Sequence, residues 1–324
     1  MSYLYANKRK MAKHLNQLRQ LNIEKYALEL DVTGYTIVPP EVTGMTPEKI
    51  EKIRNLLLKK AGEVTGVKWT LEDGPCEEML WPDGASILSK HKRSPAKPAS
   101  SLSDNVDFPH QILLQQLCSY DREFRDLAIN PVAVALIEHM IGPNVTRFSS
   151  HNSFVKWKGG RTVNLGLHCD QGGIPLPWGR NALTANTNWC LTDYSAEHGP
   201  LALVPASHLR HTNPGPQAER EAIPVECKAG SVIIFHGQTW HGAYLKKTNG
   251  LRMMIANYYR HMMIQSQEDI QNSFDQELAN DCDNPERFRQ LAGFEMARSE
   301  GVRINPIPYQ SQDGAGGYPF PSKI

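Results

Sequence analysis

The stretch Gly230-Ser231-Val232-Ile233-Ile234-Phe235-His236-Gly237 indicates most directly how the chain folds. Four consecutive apolar residues near two glycines are typical of a short, buried strand. Outward from it, similar runs rich in β-branched and aromatic residues recur between positions 145 and 259, separated by Gly, Pro and Asn clusters. The runs are residues 145–148, 153–157, 163–170, 188–193, 201–204, 223–226, 231–236 and 251–259. Many short strands with turn signals between them predict a β-sandwich or barrel.

Helical patterns lie on both sides of this β-rich region. Thr46, Pro47 and Glu48 mark one helix start, because a capping threonine precedes a proline and an acid in the first turn. An amphipathic, acid-rich helical segment begins near residue 264, before a Pro/Gly-rich tail from about residue 305. The other predicted elements are helices at residues 8–30, 112–118 and 131–141, a strand at residues 35–38 and an irregular segment at residues 73–110.

The predicted organisation is one domain over residues 1–324. Residues 1–144 are expected to form a mostly helical part that packs on the core, and residues 145–260 the β core itself. Residues 261–324 are expected to form a C-terminal helix and tail. The layout is therefore an all-β core wrapped by terminal helices.

Composition and charge exclude several classes of protein. With 35 Lys and Arg against 34 Asp and Glu, the net charge is +1, so no global field favours nucleic acid or an anionic membrane. The sequence has no run of about 18 apolar residues, which a spanning helix would need. Its six cysteines form no C-x-x-C pair, which argues against structural zinc and redox chemistry. We expect a reduced, cytoplasmic enzyme or ligand binder.

Two histidines and an aspartate are candidate metal ligands. His168 and Asp170 end the run at residues 163–170, and residues i and i+2 of a strand face the same side. A His-x-Asp pair is common by chance, so its context decides. His241 follows the buried strand at residues 231–236 and delivers a second imidazole to the end of the β core. Two His and one carboxylate make the facial triad of non-haem Fe(II) oxygenases.

Arg252 is the one charged residue of an otherwise apolar strand, on a face shared with Met254, Ala256 and Tyr258. An unpaired buried charge is very costly, so this guanidinium needs a carboxylate partner. A dicarboxylate co-substrate would supply one in bidentate form. The alternative is an ordinary ion pair with a nearby Asp or Glu of the chain.

The order of these motifs resembles that of the phytanoyl-CoA dioxygenase family of iron- and 2-oxoglutarate-dependent oxygenases. The likeness covers roughly residues 23–259. The matching segments are residues 31–35, 130–131, 141–143, 151–154, 158–160, 168–170, 189–193, 197–201, 204–208, 229–231, 240–242 and Arg252.

The resemblance implies a fold class that is mainly β with flanking helices, around a double-stranded β-helix (jelly-roll, cupin-like) core. It implies that His168, Asp170 and His241 ligate Fe(II), that Arg252 binds the far carboxylate of 2-oxoglutarate, and that Trp189 lies against this co-substrate. The chain departs from the family at two positions. Cys169 stands where glutamine is common, and Ala243 stands where a serine often helps to hold 2-oxoglutarate.

The chemistry implied by the resemblance is oxidation of a small organic molecule by O₂, with release of succinate and CO₂ and with ascorbate as a supporting reductant. Because related halogenating enzymes carry a small residue at the carboxylate position, Asp170 favours hydroxylation or another oxidative outcome. A substrate from secondary-metabolite biosynthesis is favoured. Trp178, in the loop after the first two ligands, could contact that substrate or pack on its own barrel.

Several alternatives remain open at this point. His236 is the rival third ligand, although its spacing to Arg252 does not fit the family. The other histidines considered, His151, His198, His208 and His211, are interpreted as surface or structural residues. The protein could instead be a non-catalytic jelly-roll module that binds a ligand or partner, or a zinc hydrolase on the same scaffold. It could also be an acyl-CoA 2-hydroxylase of the same family, with Lys90, Lys92, Arg93 and Lys97 near the CoA phosphates.

The partner predicted from the sequence is a small-molecule substrate, without nucleic acid or membrane, and the oligomeric state is left open. The cytoplasm is the expected compartment. Ser322-Lys323-Ile324 resembles a peroxisomal address, so the peroxisome is an alternative if the source is eukaryotic.

Overall fold

A six-stranded antiparallel sheet is the centre of the computed structural model, which describes residues 14–77, 111–158 and 165–294. Its strand order is β1-β9-β6-β11-β5-β4, and a smaller sheet has the order β10-β7-β8. The strands are β1 (Tyr35–Val38), β2 (Trp69–Thr70), β3 (Gly74–Pro75), β4 (Gln111–Leu114), β5 (Thr146–Lys156), β6 (Thr184–Cys190), β7 (Leu201–Leu203), β8 (Ile223–Val225), β9 (Val232–His236), β10 (His241–Ala243) and β11 (Arg252–His261). Strands β2 and β3 pair only with each other.

Helices cover one face of the large sheet, and α7 packs directly on β6 and β9. They are α1 (residues 14–20), α2 (Glu24–Thr33), α3 (Pro40–Thr43), α4 (Pro47–Thr65), α5 (Leu117–Tyr120), α6 (Arg122–Ala128), α7 (Pro131–Ile141), α8 (Ile270–Ser273) and α9 (Pro285–Ala292). None of the helices among the described residues is long and apolar enough to cross a membrane.

Two of the helix boundaries follow directly from local sequence. The hydroxyl of Thr46 accepts a hydrogen bond from the Lys49 amide and so caps α4, as predicted. Gly66 ends this helix at φ 76°, a left-handed conformation that costs glycine little. Asn130 caps α7 by accepting from the Ala133 amide, ahead of Pro131 at the first helical position.

The strands of the large sheet present two different faces, as β11 shows. Met253, Ile255 and Tyr259 belong to the apolar core beneath the helices. Met254 and Ala256 point to the other side, where they pack with residues of the small sheet such as Leu203. The two sheets therefore enclose an interior between them, and the predicted jelly-roll core with flanking helices is confirmed.

Several predicted elements differ from those observed. Residues 145–148 and 153–157 belong to one strand, β5. The predicted helix at residues 112–118 is wrong up to Leu114, which ends strand β4, and right only from Leu117, where α5 begins. Periodicity alone cannot separate a short buried strand from a helix. The predicted strand at residues 163–170 is also wrong: the described part, from residue 165, makes one isolated bridge at His168 and then a 3₁₀ turn.

The predicted terminal helices are shorter than expected. The helix at residues 8–30 is divided into α1 and α2 where Asn22 adopts φ 55°. Between residue 264 and residue 294, where the described part ends, the chain forms α8, a 3₁₀ turn and α9. The basic segment from Lys90 to Lys97 and the C-terminal Ser322-Lys323-Ile324 lie outside the described residues.

Candidate metal centre

Two histidines face each other across an antiparallel bridge. His168 lies in an otherwise irregular segment, and His241 is the first residue of β10. Their backbones exchange both hydrogen bonds, with N···O distances of 2.9 Å and 2.8 Å. Residues that are directly opposite in this way project their side chains to the same face. The bridge therefore brings together two imidazoles that are 73 positions apart in the chain.

Asp170 completes a cluster of three potential ligands at the start of a 3₁₀ turn. Its Oδ1 lies 3.5 Å from His241 Nε2 and 3.9 Å from His168 Nε2. Two atoms that each lie about 2.1 Å from one ion can be at most about 4.2 Å apart, so both separations fit a shared metal ion. His168 is 59% exposed and His241 only 8%. The cluster thus opens to solvent on the His168 side.

Both imidazoles are oriented by backbone carbonyls. His168 Nδ1 lies 2.9 Å from the Gly166 oxygen, and His241 Nδ1 lies 3.0 Å from the Thr239 oxygen. A carbonyl can only accept, so each Nδ1 carries the proton and each Nε2 keeps a lone pair that is available to a metal ion beside Asp170. Burial lowers the pKa of His241, which keeps this ring neutral, as metal ligation requires.

The carboxylate of Asp170 is also held from behind. Its Oδ2 accepts a 3.2 Å hydrogen bond from Asn186 Nδ2, and its backbone oxygen accepts a 3.2 Å bond from the Tyr258 hydroxyl. These contacts leave Oδ1 directed at the imidazoles. No sequence motif contains Asn186, although its alternation with Asn188 on β6 places both side-chain amides on the interior face.

Glycine at position 242 is required by the bridge between the two histidines. A Cβ atom on Gly242 would lie 2.2 Å from the Leu165 oxygen, well inside contact distance. A larger residue would push apart the segment that carries His168 and the strand that carries His241. This explains why a glycine directly follows His241.

Arg252 is buried on the interior face without an ion-pair partner. It is 4% exposed; its Nη1 donates to the Gly199 oxygen at 3.1 Å, and its guanidinium carbon lies 5.2 Å from the centre of the Tyr194 ring. Its Nε has no hydrogen-bond partner. No carboxylate within the described ranges lies within 4.0 Å of it, so the intrachain ion pair considered above is not observed there.

The structure places Trp189 away from this interior, contrary to its predicted contact with a co-substrate. Trp189 is opposite Ile255 on β11, and both side chains belong to the core beneath the helices. Successive residues of a strand face opposite sides, so it is Asn188 and Cys190 that face the interior from this part of β6.

Trp178 is buried in a small apolar cluster with Cys169, Val204 and Trp240. Its indole nitrogen donates to the Ile174 oxygen at 2.8 Å. These contacts favour the second of the two alternatives predicted for it, packing on its own barrel, over contact with a substrate.

The remaining candidate histidines lie outside the cluster. His236 is on the helix-covered face of β9, with its ring centre 5.2 Å from that of His208, and burial lowers its pKa to about 3. The Nε2 atom of His208 lies 3.3 Å from the backbone carbonyl oxygen of Asp31. The Nδ1 atom of His151 lies 3.6 Å from Glu268 Oε2. His236 is therefore not positioned to replace His241 as third ligand.

Comparisons with known proteins agree with this architecture. Residues 30–254 match the family described as Phytanoyl-CoA dioxygenase (PhyH). Dioxygenase af480 of Aspergillus fumigatus is 28% identical over 203 residues, which are 56% of this chain and 64% of that protein. Dioxygenase aneA of Aspergillus aculeatus is 26% identical over 214 residues, which are 59% of this chain and 72% of that protein. The chain thus spans a little under two thirds of af480.

Two solved structures illustrate the similarity of fold. The non-heme alpha ketoglutarate dependent carbocyclase SnoK from nogalamycin biosynthesis has a TM-score of 0.51 at 20% identity, over 73% of this chain and 83% of that one. HygX from Streptomyces hygroscopicus, with nickel and 2-oxoglutarate bound, has a TM-score of 0.52 at 16% identity, over 75% of this chain and 88% of that one. At these identities the likeness concerns the fold alone.

Proposed function

We propose, because this chain belongs to the phytanoyl-CoA dioxygenase family, that it is an Fe(II)- and 2-oxoglutarate-dependent dioxygenase that hydroxylates an unactivated C–H bond of a small organic molecule. Family membership, inferred above from motifs, is confirmed by the match over residues 30–254. One observation carries the proposal: His168, Asp170 and His241 converge in an interior that also holds the buried Arg252, which has no ion-pair partner among the described residues.

The donor set fits ferrous iron. His168, Asp170 and His241 would hold the ion through two imidazole nitrogens and one carboxylate oxygen, the ligand set of non-haem Fe(II) oxygenases. When bound, Fe(II) with 2-oxoglutarate and O₂ would supply the oxidising power, with succinate and CO₂ released. The protein's own part is to hold His168 and His241 through their backbone bridge and to direct Asp170 through Asn186.

Arg252 would orient the co-substrate. Its orphaned Nε and the lack of a nearby carboxylate among the described residues leave a buried positive charge that a ligand carboxylate would neutralise. A guanidinium binds a carboxylate through two parallel hydrogen bonds, so it fixes orientation as well as distance. The position of Arg252 on the interior face of β11 places that contact inside the jelly roll.

A small molecule is the proposed substrate, and biosynthesis of a secondary metabolite is the proposed setting. Dioxygenase af480 and aneA are named for oxygenation, and SnoK is described as acting in nogalamycin biosynthesis. The exposed edge of His168 gives a substrate access to the metal from solvent. The carboxylate of Asp170, in place of the small residue of related halogenating enzymes, supports hydroxylation as the outcome.

The test is succinate formation from 2-oxoglutarate with Fe(II) and ascorbate, in the wild-type protein and in His168→Ala. We expect the variant to retain less than about one-hundredth of wild-type turnover, since even residues that only support metal ligands change affinity or activity about 10–100-fold. His139→Ala is the matched control, because His139 lies outside the cluster, with its Nε2 within 2.9 Å of Asp31 Oδ1. A His168→Ala protein that consumes 2-oxoglutarate at the wild-type rate would refute the proposal.

A further inference from the structure

We propose that Lys156 is a second cationic anchor for the distal carboxylate of 2-oxoglutarate, beside Arg252. This inference rests on the proposed function and assigns to the same site a residue that no motif indicated. The distal carboxylate of 2-oxoglutarate would then lie between the ammonium of Lys156 and the guanidinium of Arg252, inside the jelly roll.

Lys156 and Arg252 are neighbours on adjacent strands. They are directly opposite in the antiparallel pairing of β5 with β11, so their side chains share the interior face, with Cβ atoms about 4.5–5.5 Å apart. Both are buried, with 3% of Lys156 and 4% of Arg252 exposed. Two buried cations side by side repel each other unless an anion lies between them.

No carboxylate of the described residues neutralises this pair. The ion pairs observed in those ranges include neither Lys156 nor Arg252, and a third buried cation, Lys246, lies close by. Burial, with smaller contributions from Arg252 and Lys246, lowers the pKa of Lys156 well below its usual range. A bound carboxylate would relieve both the desolvation and the repulsion.

The number of free donors distinguishes Lys156 from Lys246. An ammonium has three N–H donors, and Lys246 Nζ has three acceptors, at 3.0 Å (Thr248 oxygen), 2.7 Å (Thr248 Oγ1) and 3.2 Å (Asn249 oxygen). Lys156 Nζ has one, the Tyr244 oxygen at 2.8 Å. Lys156 therefore has donors to offer to a ligand, whereas those of Lys246 are already used by its own loop.

The residue that ends the neighbouring strand β10, Ala243, supplies no side-chain donor. Ala243 immediately precedes Tyr244, whose oxygen accepts from Lys156, and a methyl group cannot bind a carboxylate. With Lys156 in place, the tail of the co-substrate would meet two positive groups instead of one cation and a hydroxyl. We therefore expect an unusually strong preference for 2-oxo acids that end in a carboxylate.

The experiment compares two ligands that differ only at the tail. 2-Oxoglutarate and 2-oxovalerate share a five-carbon 2-oxo acid backbone, and the second ends in a methyl group. Their binding to the Fe(II)-loaded protein is measured without O₂, from the absorption of the iron–oxo acid chelate. We expect Lys156→Met to lower the affinity for 2-oxoglutarate about ten- to a hundredfold, which is the contribution of hydrogen bonds to a charged group. The affinity for 2-oxovalerate should be unchanged.

Lys246→Met is the matched control, because it removes an equally buried lysine whose donors are satisfied within the protein. It should change the affinities for both oxo acids equally and so preserve their ratio. Lys156→Gln, which keeps a donor for the Tyr244 oxygen without the charge, should reproduce the loss seen in Lys156→Met. Either Lys156 variant suffices if the other fails to fold.

Thermal unfolding without ligand separates binding from a structural role. Because the substitution removes a buried cation without a carboxylate partner, the unfolding temperature of Lys156→Met without ligand should equal or exceed that of the wild type. The increase in unfolding temperature on adding 2-oxoglutarate should be smaller in the variant than in the wild type. A folded Lys156 variant that keeps the wild-type preference for 2-oxoglutarate over 2-oxovalerate would overturn the inference alone. A wild-type protein that binds neither oxo acid in the presence of Fe(II) would overturn the proposed function itself.

Discussion

The two faces of the six-stranded sheet are built from the same strands but bury very different side chains. The helix-covered face carries mainly large apolar residues, such as Trp189, Val232 and Ile255, which pack beneath α7. The interior face carries Arg252 and Lys156 with few or no partners for their polar groups. The helix-covered face therefore stabilises the fold, and the interior face gives up stability in exchange for groups that a ligand can satisfy.

The contrast is sharpest within β6, where neighbouring residues have opposite surroundings. Trp189 is completely buried in the helix-covered core. Asn188 is also buried, but its side-chain oxygen has no hydrogen-bond partner and faces the interior. A register error of one residue would exchange these two environments, so mutations on the two faces should fail in different ways.

The largest effect is expected for Trp189→Ala, which removes a large side chain from the helix-covered core. It should reduce the free energy of unfolding by about 3–5 kcal/mol, since Trp-to-Ala changes in cores leave a cavity. Denaturant unfolding measures this loss. Where the variant remains folded, its affinity for 2-oxoglutarate should match that of the wild type.

Asn188→Ala, one position away on the interior face, is the comparison for Trp189→Ala. It should change stability much less, because its oxygen makes no hydrogen bond that would be lost. The opposite pattern, with Trp189→Ala stable but deficient in 2-oxoglutarate binding, would mean that the assignment of the two faces is reversed.

An effect of intermediate size is expected for His236, a titratable group on the helix-covered face. Burial, with a contribution from His208 and His211, lowers its pKa in the folded state to about 3. Its Nδ1 accepts a hydrogen bond from the backbone N–H of Gln238. Because the unfolded chain takes up this proton near pH 6.5, the stability that neutral His236 contributes is complete above that pH and is lost as the pH falls. The loss should be about 2 kcal/mol between pH 7 and pH 5.

His236→Asn checks this dependence, since the amide oxygen can replace Nδ1 as acceptor without titrating. Its unfolding free energy should fall less steeply below pH 6.5 than that of the wild type. Identical pH profiles for the two proteins would show that His236 is not the group responsible. His208, whose pKa burial also lowers, contributes in the same direction and is unchanged in both proteins.

The smallest effect is expected for Asn186→Ala on the interior face. The variant removes the donor to Asp170 Oδ2 without touching a metal ligand, so Fe(II) affinity should fall about tenfold, at the low end of the range for supporting residues. Metal titration by isothermal calorimetry without O₂ measures it. Asn188→Ala should retain wild-type metal affinity, and equal losses in both variants would remove the specific role of Asn186.

The sequence predicted the elements whose signals are local. The cap of α4, the helix at residues 131–141, the β-rich region and the motif residues 168, 170, 241 and 252 were all predicted from nearby residues and their spacing. The β4 segment was predicted as a helix because its three apolar residues, Ile112 to Leu114, have no distinguishing period, and only pairing with β5 decides its state.

Local sequence also did not indicate which face of the sheet a given side chain would point to. Trp189 matched a family position, yet the register of β6 with β11 turns it towards the helices. Neither Asn186, one of several polar residues in β6, nor Lys156, at the end of β5, belongs to a recognisable motif. Their roles depend on which strand lies beside them, and strands that are adjacent in the sheet can be 100 positions apart in the chain.

The sequence by itself determined the kind of chemistry, because the side chains able to bind a metal and a dicarboxylate are fixed by residue type. The tertiary structure alone decided which of these groups meet. His168 faces His241 only because two distant segments form a backbone bridge, and Lys156 lies beside Arg252 only because β5 pairs with β11 in one register. Such contacts arise from long-range pairing, whose geometry no short stretch of sequence contains.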